Sequence, residues 1–234
     1  MNSVPTRART GRPGRVLRSF ALLILAGVFF LQPVFSGVPG KRLRVLILSG
    51  KNNHNWQETT PALKKIYESS GRFVVDVLDD PSKCNRRLLQ NYDVIASNWT
   101  NFPSRDRDWG EEAENAILDF VRSGKGFVLF HAAGATFPSW REYLTLIGAN
   151  WGKSTGHGSY HAFNVSVKDE KHPITKVVGD FVITDELWHR METRPTAHVL
   201  CTAFSDKTRG GTGEWEPVVF ISNFGRGRSF YLVL

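Results

Sequence analysis

The chain is poor in the residues that announce the commonest chemistries. Two cysteines, Cys84 and Cys201, are too few for a disulfide framework or a thiolate metal cluster. In an oxidising compartment they permit one disulfide, and otherwise they read as buried, inert thiols. Apolar runs are short for a membrane-spanning helix. The longest, Phe20–Leu31, rises about 18 Å against a hydrocarbon core of about 30 Å. No internal repeat or low-complexity segment is visible. Beyond residue 36 there is also no Lys/Arg stripe interleaved with aromatics, which excludes nucleic acid as a partner.

The formal charge of +8 is largely a property of the first residues. Arg7, Arg9, Arg12, Arg15 and Arg18 precede the apolar run, and Gln32-Pro33 and Val34–Gly37 follow it, with no acid among residues 1–36. This is the three-part layout of a secretory signal peptide, with cleavage expected near Ser36. Removing the five arginines leaves 25 basic against 22 acidic residues, a balance of +3. The expectation is an exported protein, periplasmic or secreted, that touches a membrane transiently through residues 1–36. If the segment is retained, it acts as an anchor.

The remainder, residues 41–234, is long enough to bury one good core. Val45–Leu48 is a continuous apolar run closed by Ser49-Gly50, as in a strand covered on both faces. A polar loop, a helical pattern from about Gln57 to Ser70 and a strand over Phe73–Leu78 complete a βα repeat. Tyr92–Ser97 predicts a third strand, Trp109–Ser123 an amphipathic helix that starts with acids, and Phe127–Phe130 a fourth strand. Such alternation predicts an α/β fold: a layered, mostly parallel sheet with helices on both faces. Further on, Pro138–Ile147 reads as a short helix. Ala162–Val167, Val199–Ala203, Val218–Ile221 and Ser229–Val233 read as strands between Gly-rich turns, an antiparallel extension in the C-terminal half.

Four stretches carry the polar residues that could act together. His54-Asn55-Trp56 follows the first strand and His131 follows the fourth, so both belong at the carboxyl edge where open α/β sheets bind ligands. His157 and His161 stand four apart, a spacing that shares one face of a helix or strand and suits a metal, although zinc usually asks for three or four ligands. Asp185, Glu186 and His189 form the fourth. If extended, the two carboxylates alternate, so only one aims inward. Loop tryptophans Trp56, Trp140 and Trp151 offer flat faces for sugar rings, and packing is their ordinary use.

The succession Val45–Gly50, His54–Trp56, Thr60–Leu63, Tyr92–Val94, Leu118–Gly124, Phe130–Ala133, Phe137–Trp140, His172–Thr175, Asp185–Trp188 and Gly225–Arg228 resembles the ThuA-like (trehalose utilisation) family over residues 41–234. The resemblance implies a flavodoxin-like fold similar to class I glutamine amidotransferases and a link to sugar metabolism. In those amidotransferases a nucleophilic cysteine occupies the turn after a central strand. Here that turn carries His131, so covalent glutaminase chemistry is excluded. ThuA-like domains usually continue beyond the Gly-Arg-Gly strand, and against that pattern the C-terminus reads as truncated.

The resulting expectation is an exported protein acting on a small carbohydrate, trehalose or a keto-glycoside. His131 and Asp185 or Glu186 would transfer protons, with His54 completing the site. A divalent metal such as zinc, held by some of His131, His157, His161 and His189, is the variant mechanism. The rival is a non-catalytic carbohydrate-binding or interaction module on the same scaffold. Oligomeric state is left open.

Overall fold

The computed structural model describes residues 41–234, so the expected signal peptide lies outside the described residues. Among the described residues no helix is long and apolar enough to cross a membrane. Nine strands form one sheet. They are β1 (Leu43–Leu48), β2 (Phe73–Leu78), β3 (Val94–Ser97), β4 (Gly126–Phe130), β5 (His161–Val167), β6 (Phe181–Asp185), β7 (Ala197–Phe204), β8 (Trp215–Phe224) and β9 (Gly227–Leu232). Their order across the sheet is β2-β1-β3-β4-β9-β8-β7-β5-β6. The half from β2 to β9 is parallel, and every pairing from β9 to β6 is antiparallel. The predicted α/β sheet with an antiparallel extension is therefore the observed architecture.

Period-two alternation along the parallel strands feeds two cores. Val45 and Ile47 of β1 join Val75 and Ala96 on one face, where Leu63 and Tyr67 of helix α1 (Trp56–Ser69) cover them. Leu46 and Leu48 point to the other face, against Ala116, Ile117 and Phe120 of a helix over Glu111–Arg122. Each such side chain, fully buried, contributes roughly 1.5–3 kcal/mol. The Glu111–Arg122 helix has Glu111, Glu112 and Glu114 in its first turn and Arg122 in its last, charges that complement its dipole.

The departures from the sequence reading include three near the site. The helix predicted from Pro138 begins at Arg141 and ends at Ile147, because Pro138–Trp140 is spent on a turn. Trp56 opens α1 rather than belonging to the loop before it. β6 was not anticipated. It is an edge strand that pairs His161 with Asp185 and so fixes where the acidic pair emerges.

Candidate active site

β4 ends where His131 turns to φ 41°, in the left-handed region that residues other than glycine seldom occupy. A single 3-10 turn, His131–Ala135, follows. The fully buried Tyr231 of β9 secures this corner, its hydroxyl donating to the His131 carbonyl oxygen at 2.8 Å. That approach demands glycine at 134, where a Cβ would overlap the Tyr231 hydroxyl. A strained strand-to-turn corner lifts its side chain clear of the sheet edge, as in nucleophile elbows. The side chain lifted here is an imidazole.

The orientation of that imidazole is fixed. Its Nδ1–H donates to the Val233 carbonyl oxygen at 2.5 Å, and its Nε2 lies 3.1 Å from Glu186 Oε1. A carbonyl oxygen can only accept, so Nδ1 carries a hydrogen and Nε2 is the atom presented to the carboxylate. The Trp188 indole also donates to Glu186 Oε1, at 3.1 Å, and its ring sits 4.5 Å from that of His131. His54, carried on the loop after β1, sets its ring edge-on to His131 with centroids 4.7 Å apart. His157 Nδ1 lies 3.7 Å from Glu186 Oε2.

The charges follow from these neighbours. Burial pushes the Glu186 carboxyl up, but the Trp188 N–H and the fields of His157 and His131 outweigh it and hold the group below the ordinary glutamate value. Partial desolvation beside the neighbouring rings, then the field of His131, pushes the otherwise exposed His54 down, and the opposing pull of Glu186 and Asp185 does not restore it. His54 is therefore a neutral imidazole at neutral pH. Beside the cluster opens a cavity of about 200 Å³, lined by His54, His157 and Glu186 and by the rings of Phe102, Trp151 and Trp188. Trp151 meets Trp188 edge-on at 4.5 Å.

The structure thus brings together His54, His131 and Glu186 from the four stretches singled out in the sequence, with His157 alongside. Asp185 makes no hydrogen bond to His131, its Oδ1 accepting the Glu186 N–H at 2.8 Å, but it lines a neighbouring cavity together with His54, His131 and Glu186. The expected metal set of His131, His157, His161 and His189 is corrected. The chain turns at Gly158–Tyr160, so His157 and His161 do not share a face, and His161 Nδ1–H is spent on the Ser159 carbonyl at 2.7 Å. His189 is buried across the short ladder from Gly156, and burial lowers its pKa. Of the three tryptophans only Trp151 lines the cavity. Trp140 is buried and stacks on Tyr143 at 5.2 Å, and the half-buried Trp56 lies outside the cavity lining. The reading missed Trp188 and Phe102 as lining residues. Trp188 could have been found from its place beside Glu186. Both cysteines are buried free thiols, so the optional disulfide is absent, and burial pushes Cys84 up to about 12.

The profile of the trehalose utilisation family, ThuA, matches residues 44–234. The chain is similar to a crystal structure from Parabacteroides merdae described as ThuA-like, at 29% identity and a TM-score of 0.73, covering 83% of this chain and 80% of that one. A second ThuA-like structure, from Bacteroides uniformis, shares 22% identity at a TM-score of 0.64 and covers 83% of each chain. A glutamine amidotransferase of Thermotoga maritima, at 12% identity and a TM-score of 0.50 over 83% of this chain and 76% of that one, shares the fold alone. Among curated proteins none matches. The family match spans nearly all the described residues, and the fold agrees with it: the chain belongs to the ThuA, or trehalose utilisation, family.

Proposed function

We propose that the protein is an exported enzyme that acts on a small carbohydrate, trehalose or a keto-glycoside, at the His54–His131–Glu186 cluster. Family membership supports a carbohydrate-related role. The observation that carries the enzymatic reading is the 3.1 Å approach of His131 Nε2 to Glu186 Oε1 beside an aromatic cavity. An imidazole with one nitrogen pinned and the other facing a carboxylate is equipped to exchange a proton with a bound hydroxyl or carbonyl oxygen. The flat faces of Trp151 and Trp188 suit a sugar ring, and His54 and His157 line the same cavity as polar partners for its hydroxyls.

The test follows two signals during one titration, tryptophan fluorescence and product formation, with trehalose and its keto derivative. Fluorescence change with turnover is expected. A fluorescence change with no product would favour the binding module, and neither signal would remove the carbohydrate reading.

A further inference from the structure

The atoms between His131 and Glu186 pose a charge problem. With Nδ1–H committed to the Val233 carbonyl, a neutral His131 presents the Nε2 lone pair to a carboxylate oxygen 3.1 Å away. Two acceptors at that distance repel, so a proton or a cation must lie between them. Donor atoms bound about 2.1 Å from one ion, at tetrahedral or right angles, stand about 3.0–3.4 Å apart. The His131–Glu186 separation falls within that interval.

A third ligand is at hand. The donor atoms of His54, His131 and Glu186 all lie within 4.8 Å of one another. His54 is exposed on its loop, and closing onto an ion needs a shift of at most about 1.4 Å from that limit to the upper ligand spacing. The surroundings orient the ligands as outer partners of a metal site do. Val233 fixes the His131 tautomer with Nε2 outward, and Trp188 holds Glu186 Oε1. Among the described residues no lysine or arginine pairs with Glu186 or Asp185, so only imidazoles stand against the two carboxylates.

We infer that His54, His131 and Glu186 form a divalent cation site, two imidazoles and one carboxylate, whose open position faces the cavity lined by Trp151 and Trp188. Three protein ligands and a position left for a ligand oxygen are the pattern of a catalytic rather than a structural zinc site. The inference rests on the carbohydrate reading only for the identity of that oxygen, a hydroxyl or carbonyl of the sugar, and the bound ion takes the place of the proton between His131 Nε2 and Glu186.

The test uses the full chain, stripped with a chelator and dialysed. Zn²⁺ is titrated in competition with a chromophoric chelator, and Co²⁺ uptake is followed by its visible absorption bands. One Zn²⁺ per chain is expected, as are Co²⁺ bands that disappear in His54→Ala. His54 is exposed, so this variant should keep the fold. His54→Ala and Glu186→Gln should each weaken Zn²⁺ at least about tenfold, and His161→Ala and His198→Ala, the latter an imidazole paired with Asp169 at 2.8 Å, should leave it unchanged. Failure to take up either ion, or uptake that persists undiminished in His54→Ala and Glu186→Gln, overturns the site. The two readings fail separately: sugar turnover that survives chelation removes the cation, whereas stoichiometric Zn²⁺ without turnover removes the carbohydrate enzyme.

Discussion

Removing the Tyr231 hydroxyl should loosen the corner that presents His131. Tyr231→Phe deletes the 2.8 Å hydrogen bond to the His131 carbonyl and leaves that acceptor without its partner, a loss of about 1–3 kcal/mol. Holding a residue other than glycine at φ 41° costs about 1–3 kcal/mol. The two magnitudes match, so this bond is large enough to hold the strained turn. In a domain of this size each kcal/mol moves Tm by about 2–4 °C, which predicts a fall of roughly 2–12 °C by thermal circular dichroism. A double-mutant cycle isolates the strain. With His131→Gly in place the backbone adopts the left-handed conformation freely, and Tyr231→Phe should then cost at least about 0.5 kcal/mol less. Equal losses in both backgrounds, or a Tm within about 1 °C of the parent, would refute the coupling.

Three further outcomes follow from burial. His189 has a folded pKa pushed below 6.5 by burial, with Arg190 and His157 acting the same way and Glu216 against. The unfolded chain then binds more protons below 6.5, so this stability is present above that pH and is lost on acidification, with a slope of at most about 1.4 kcal/mol per pH unit. His189→Asn should flatten the Tm–pH curve there, and an unchanged curve would count against the assignment. Trp140→Ala should cost about 3–5 kcal/mol of stability, whereas Trp151→Ala, half-buried at the cavity, should cost less and abolish the sugar-dependent fluorescence change; the reverse pattern would exchange their roles. The thiols of Cys84 and Cys201 should resist a disulfide reagent in the native chain and react after denaturation, and rapid native reaction would contradict their burial.

The sheet was legible where burial on both faces writes a continuous apolar run, as at Val45–Leu48. β6 escaped because it is a largely exposed edge strand, and Phe181–Asp185 carries no clean alternation. His54 and His131 were found by the rule that ligands meet the carboxyl ends of parallel strands, and both are there. Alternation predicted that one of Asp185 and Glu186 would aim inward, but only the pairing of β5 with β6 decides which one. The spacing of His157 and His161 misled because it presumes one unbroken element, and the chain turns at Gly158–Tyr160. Trp188 reaches the site through the short ladder it forms with His157, a pairing between distant segments, and its place two residues after Glu186 was the one local signal for it.

The central claim, that His131 and Glu186 act as one centre on a sugar, is tested most directly by kcat/KM. The variants are Glu186→Gln and His131→Asn, the latter chosen because asparagine tolerates a positive φ. Loss of either side chain, as proton carrier or as cation ligand, predicts a fall of about 10²–10⁴ in each single variant, with the double variant little worse than either. Turnover retained at the parental rate in both would contradict the account.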